Sequence, residues 1–166
     1  EDAAILEFDF IPTGDSVKFK YCFGSEEYPE YAPPNNSGYN DVFAFFLSGP
    51  NPLGGNYTNK NIALLPGTTT AVSINNVNPV TNTAYYRSNS SNLINCEFDG
   101  FTKVLFALEK VICGQTYHIK IAIADAGDDG IDSGVFLEGG SFSSLPPLNL
   151  NTTNANSNIP DTILVE

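Results

Sequence analysis

The sequence predicts an all-β fold, closed as a two-sheet antiparallel β-sandwich or jelly roll. Three observations carry that reading. Short apolar runs recur along the chain, and several alternate strictly with polar residues. Gly, Pro and Asn clusters separate them at the intervals usual for antiparallel sheets. No segment holds the 3.6-residue period of an amphipathic helix. The 166 residues suffice for one domain with its own core. We expect a sandwich over residues 1–144, and over 145–166 an Asn/Pro/Thr-rich linker that leads into the start of a further strand.

Residues 4–11 read as a strand, with Leu6, Phe8 and Phe10 on one face and Glu7 and Asp9 on the other. Pro12-Thr13-Gly14-Asp15 is a turn. Val17, Phe19, Tyr21 and Phe23 then alternate with Ser16, Lys18, Lys20 and Cys22, a half-buried strand expected to form a hairpin with the first. Residues 41–47 are apolar on both faces, which predicts a central strand covered on both sides. Residues 48–61 read as loop; 61–67 and 71–76 read as two short strands.

Residues 78–95 form a long polar connection, with Tyr85 and Tyr86 as anchors. β-branched and aromatic content makes the 102–108 run a strand, and 117–123 alternates cleanly. A strand over 134–138 continues past Gly139-Gly140 through Ser141-Phe142-Ser143. Three cysteines match no zinc spacing. Cys96 and Cys113 bracket one strand and are the expected disulfide. Four Asn-x-Ser/Thr sequons, starting at Asn35, Asn56, Asn89 and Asn151, are weak signals in so Asn-rich a chain.

A formal net charge of -12 argues against nucleic acid and against attraction to anionic lipid. No apolar run is long enough for a membrane-spanning helix, so membrane insertion is not expected. The acids are not spread evenly. Glu26 and Glu27 end one strand, Asp41 opens another, and Asp125, Asp128, Asp129 and Asp132 fill a loop containing Gly127 and Gly130. Calcium takes six to eight oxygens, and these seven carboxylates are its candidate ligands, provided the segments meet in space. The spacing is neither an EF-hand nor a Gly-rich calcium repeat. An exposed acidic turn is the alternative for the 125–132 loop.

Adjacent strand residues point to opposite faces. Either Glu26 and Glu27 divide between site and surface, or both belong to a loop. Tyr28, Tyr31 and Tyr39 flank the same acids. Such rings either line a sugar-binding cleft or plug a loop into the core. His118, the lone histidine, lies on a strand and is expected to be structural. No Gly-x-Ser-x-Gly nucleophile motif is present, so we expect no enzyme. Paired carboxylates keep a glycan-degrading enzyme as the weaker alternative.

Several blocks in order, Phe23-Gly24-Ser25-Glu26-Glu27-Tyr28, Tyr39-Asn40-Asp41-Val42-Phe43-Ala44-Phe45-Phe46, Phe98-Asp99-Gly100-Phe101-Thr102 and Asp132-Ser133-Gly134-Val135-Phe136-Leu137, resemble the bacterial choice-of-anchor L domain. The shorter blocks Asn61-Ile62-Ala63-Leu64, Val72-Ser73-Ile74-Asn75 and Tyr117-His118-Ile119-Lys120 fit the same series. The resemblance implies an exported domain of large surface proteins, as in Bacteroidetes type IX secretion, and no catalytic residues. The expectation is a secreted or cell-surface, calcium-stabilised binding module of an adhesin. Its partner would be a carbohydrate or a surface protein. The alternative is a filament subunit that self-assembles through its tail or an edge strand.

Overall fold

The computed structural model describes residues 3–35, 40–124 and 131–144. Nine strands are present among them: β1 (Ala3–Phe10), β2 (Ser16–Ser25), β3 (Val42–Pro50), β4 (Asn56–Asn61), β5 (Tyr86–Ser88), β6 (Gly100–Thr102), β7 (Leu105–Lys110), β8 (Tyr117–Ala124) and β9 (Ser133–Leu137). They form two antiparallel sheets. One has the order β1-β8-β3-β4. In the other, β2 is central: β7 pairs with Ser16 to Tyr21 and β6 with Gly24 and Ser25 along one edge, while β9 takes the other edge at Tyr21 to Ser25. β5 adds outside β6.

The alternation read in residues 17–23 is what holds the sheets together. Val17, Phe19, Tyr21 and Phe23 are all buried. Their rings meet those of β3 across the sandwich. Phe19 and Tyr21 lie 4.8 and 4.9 Å from Phe45, and Tyr21 and Phe23 lie 5.3 and 5.1 Å from Phe43. Each pair adds to area burial: Tyr21 meets both rings edge-to-face, Phe23 stacks on Phe43, and Phe19 lies tilted against Phe45. β3 is central in its sheet, as its apolar composition predicted, with Phe43, Phe45 and Leu47 inward and Val42 exposed on the other face.

The expected β1–β2 hairpin does not form. β1 pairs with β8 and β2 with β7, so the two belong to different sheets. Alternation marks a half-buried strand and does not choose its neighbour. The intervening turn is a corner, tied down where Val111 N–H donates to Asp15 O at 2.9 Å and Gly114 N–H to Pro12 O at 2.9 Å. The loop expected at 48–61 contains β4, an edge strand whose one buried side chain is Tyr57. The Tyr57 hydroxyl reaches Glu109 and the Lys110 carbonyl, and burial beside Glu109 pushes it up to about 12. The runs at 61–67 and 71–76 bury Ile62, Ala63, Leu65, Val72 and Ile74, yet contribute only the isolated bridges Leu64–Ala71 and Val42–Ser73.

The expected Cys96–Cys113 disulfide is also absent, and all three cysteines are free. The extended run over 100–110 lies between them, antiparallel to β2. It carries Cys113 to the opposite end of the sheet from Cys96. The Asn89 sequon is not a glycan acceptor. Asn89 is buried, and its amide nitrogen donates to Ile94 O and Phe98 O at 3.0 and 2.9 Å.

Phe45→Ala removes the ring that both Phe19 and Tyr21 touch. We expect a loss of about 3–5 kcal/mol in urea unfolding. Phe106→Ala, at a 52% exposed site on β7, should change stability by no more than about 0.5 kcal/mol. Equal losses would show that the β2–β3 ring contact is not the core's anchor.

Candidate functional site

The acidic segments gather at the end of the sandwich where β2 stops. Ser25 is the last residue of β2 and sits opposite both Gly100 of β6 and Ser133 of β9. The chain then turns, so Glu26 and Glu27 belong to a loop and not to the strand. Glu26 N–H donates to Asp132 O at 3.1 Å, and Asp132 N–H donates back to Glu26 Oε2 at 3.2 Å. The segments holding Glu26 and Asp132 therefore do touch, and the recorded bonds between them run through main-chain amides.

Glu27 takes the opposite course. It is 1% exposed, and Asp41 is 0% exposed. Glu27 N–H donates to Ser25 Oγ at 3.0 Å, and Glu27 Oε2 accepts the Asp41 N–H at 3.4 Å. A carboxylate buried beside Asp41, the residue just before a central strand, fixes where that strand enters the sheet. Burial of such groups is tolerated only with polar partners.

Two acids that the sequence reading passed over complete the cluster. Asp99, just before β6, donates its N–H to Ser25 O at 3.1 Å. Burial, then the charges of Glu30 and Glu26, push its carboxyl above the usual carboxylate range. Asp99, Glu30, Glu26 and Asp132 thus come from three separate stretches of chain. Both missed acids stand singly in sequence; the only signal was the Asp-Gly step of the Phe98-Asp99-Gly100 block. Asp125, Asp128, Asp129 and Tyr39 lie outside the described residues. Among the described residues, no group of three or more His, Cys, Asp and Glu side chains is arranged as a metal cage.

The tyrosines divide. Tyr28 is 0% exposed, and its hydroxyl donates to Val77 O at 2.5 Å. Its ring lies 5.1 Å from that of Tyr86. It plugs the turn into the core, and a sugar cannot reach it. Tyr31 is half-buried on the same turn, its N–H donating to Glu27 O at 3.0 Å. His118 lies elsewhere, on the outer face of β8, with Nδ1 at 2.8 Å from Asp9 and Nε2 at 3.7 Å from Glu7. These are solvent-side cross-strand contacts.

The Glu26–Asp132 junction and the buried Glu27–Asp41 pair fall within the sequence blocks named above. The choice-of-anchor L domain profile matches residues 1–143. The chain belongs to the choice-of-anchor L domain family. No curated protein and no solved structure matches it. Membership makes this a domain of an exported or cell-surface protein, in a family of surface-anchoring modules and not a known enzyme family. No helix among the described residues is long and apolar enough to cross a membrane.

Two substitutions test the electrostatics of this choice-of-anchor L site. Glu27→Ala leaves the Asp41 amide without its carboxylate acceptor, and should cost about 1–3 kcal/mol in denaturant unfolding. Asp99→Asn should act in the other direction. Because the Asp99 carboxyl is raised, the folded state holds its proton to higher pH than the unfolded chain does. That stabilisation is complete below the ordinary Asp range and is lost as pH rises through the folded value. At neutral pH in chelator, the neutral amide should therefore raise Tm by about 1–2 °C, a gain that vanishes near pH 3. A lowered Tm at pH 7 would contradict the repulsion among Asp99, Glu30 and Glu26.

Proposed function

We propose that this domain is a non-catalytic binding module of a bacterial surface adhesin, exported by a type IX route and stiffened by calcium at its acidic end. The observation that carries the calcium reading is the convergence of Glu26, Glu30, Asp99 and Asp132 from three chain segments at one end of β2. The charges of Glu30 and Glu26 act on Asp99, and such carboxylates repel one another. A hard divalent cation relieves that repulsion and takes oxygen ligands without strict geometry. Asp125, Asp128 and Asp129 are close in sequence to Asp132 and are proposed as further ligands. Glu27 and Asp41 would support the site from within.

The module's ligand would be a surface carbohydrate or protein, met at this end. With Tyr28 in the core, Tyr31 and Tyr39 are the remaining aromatic candidates. A glycan array probed with and without chelator tests that part.

For calcium, the measurement is Tm of chelator-stripped protein against added metal. At a hundredfold excess over Kd we expect a rise of about 5–10 °C. Glu26→Gln/Asp132→Asn should remove most of it. An unchanged Tm and no heat on titration would end the calcium reading.

A filament subunit is the second reading, and β1 favours it. β1 is an edge strand, and it leaves Ile5 56% and Leu6 53% exposed. An apolar edge with free main-chain donors and acceptors is a template for another strand. Light scattering should then show concentration-dependent assembly that Leu6→Lys abolishes. A monomer at every concentration would remove this reading.

A further inference from the structure

The outer face of the second sheet carries a cavity whose lining contains none of the acids gathered at the end of β2. Strand register places its parts. Arg87 of β5 sits opposite Phe101 of β6, Phe101 sits opposite Gly24 of β2, and Phe136 of β9 sits opposite Cys22. Since Tyr21 and Phe23 point inward, these neighbours share the outward face. The loop over 89–98 folds across them and encloses about 390 Å³ with Ile94, Val104 and Lys103. That lies within the range of small-molecule pockets.

This is a built feature. Asn89, buried and bonded at both ends of its amide, pins the covering loop through Ile94 and Phe98. Phe98 and Phe101 stand edge-to-face at 6.0 Å, and Phe136 closes on Phe98 at 5.8 Å. These rings need the space that two glycines leave. A Cβ at Gly24 would lie 2.8 Å from Phe101, and one at Gly134 would lie 2.8 Å from Phe98.

The charge of the lining is the informative part. Only 7 of the chain's 26 charged residues (19 acidic, 7 basic) are Lys or Arg, yet two of them, Arg87 and Lys103, line this cavity and no acid is among its lining residues. Neither makes an ion pair among the described residues. By contrast, the cavity beside Tyr57 matches Lys60 with Glu109 and Lys110 with Asp15. The rest of the wall is hydrocarbon and thiol, with Thr102 as its one hydroxyl. A sugar would find few hydrogen-bonding partners there.

We propose that this cavity binds a small amphipathic carboxylate, a medium-chain acyl or aryl acid. Its hydrocarbon lies against Ile94, Phe101, Val104 and Phe136, and its carboxylate lies between Arg87 and Lys103. Equilibrium dialysis of labelled decanoate against the whole chain tests it. We expect one equivalent to bind, with decanol competing about tenfold more weakly for want of the charge-assisted contact. Arg87→Gln/Lys103→Gln should weaken decanoate about tenfold and leave decanol unchanged. Lys18→Gln/Lys120→Gln, the same change in net charge elsewhere, should leave both unchanged.

Cysteine alkylation locates the ligand in the unmutated protein. Bound decanoate should slow modification of Cys96, which lines the cavity, and leave the exposed Cys113 unaffected. Failure to bind, equal binding of decanol, equal losses in both double variants, or no protection of Cys96 would each overturn the proposal.

Discussion

The contact between the inward rings of β2 and β3 is the constraint from which the remaining geometry follows. Phe19, Tyr21 and Phe23 descend one sheet at every second residue, and Phe43 and Phe45 descend the other. A one-residue slip in either strand would turn the whole set outward. Register is therefore fixed at the centre of the sandwich, and the strand ends are fixed with it. Glu27 is brought to the Asp41 amide because β2 ends and β3 begins at the same edge of this ring stack. Asp132 meets Glu26 because β9 pairs with β2 right up to Ser25.

What was legible in the sequence was mostly what burial writes into it. The alternation at 17–23, the continuous run at 41–47 and the clean strand at 117–123 each name a strand and its inward face, and the two-sheet closure follows. Pairing partners were not legible. The same alternation suits a hairpin and an inter-sheet corner, and only the ties from Asp15 and Pro12 to the 111–114 turn decide for the corner. β4 escaped notice because an edge strand with one buried residue has the composition of a loop. Asn89 escaped because a fully bonded core amide reads as one more polar residue in an Asn-rich stretch.

The site divides along the same line. Acids beside strand ends were readable as a group because the strands they border had to lie in one sandwich. Asp99 and Glu30 were not, since a lone acid acquires its neighbours only through tertiary folding. Tyr28 shows the converse. A tyrosine next to carboxylates has the composition of a sugar cleft, but its hydroxyl is spent on Val77 O, and the ring closes the core beneath the turn.

The acidic end and the cationic cavity are built from one segment, and this couples them physically. Phe101 walls the cavity, Phe98 packs edge-to-face against it, and Asp99 between them in sequence stands in the field of Glu30 and Glu26. The main chain at Asp99 bonds to Ser25 on one side and to Asn89 on the other, at 3.1 and 2.7 Å. Asn89 also holds Ile94 and Phe98, so the bonds that position Asp99 are continuous with those that hold the 89–98 loop over the sheet. Close-packed rings have little give. Gly24 and Gly134 leave no slack beneath them. The stretch that carries Asp99 to the acids at the end of β2 is therefore the same one that carries the cover of the cavity beside it.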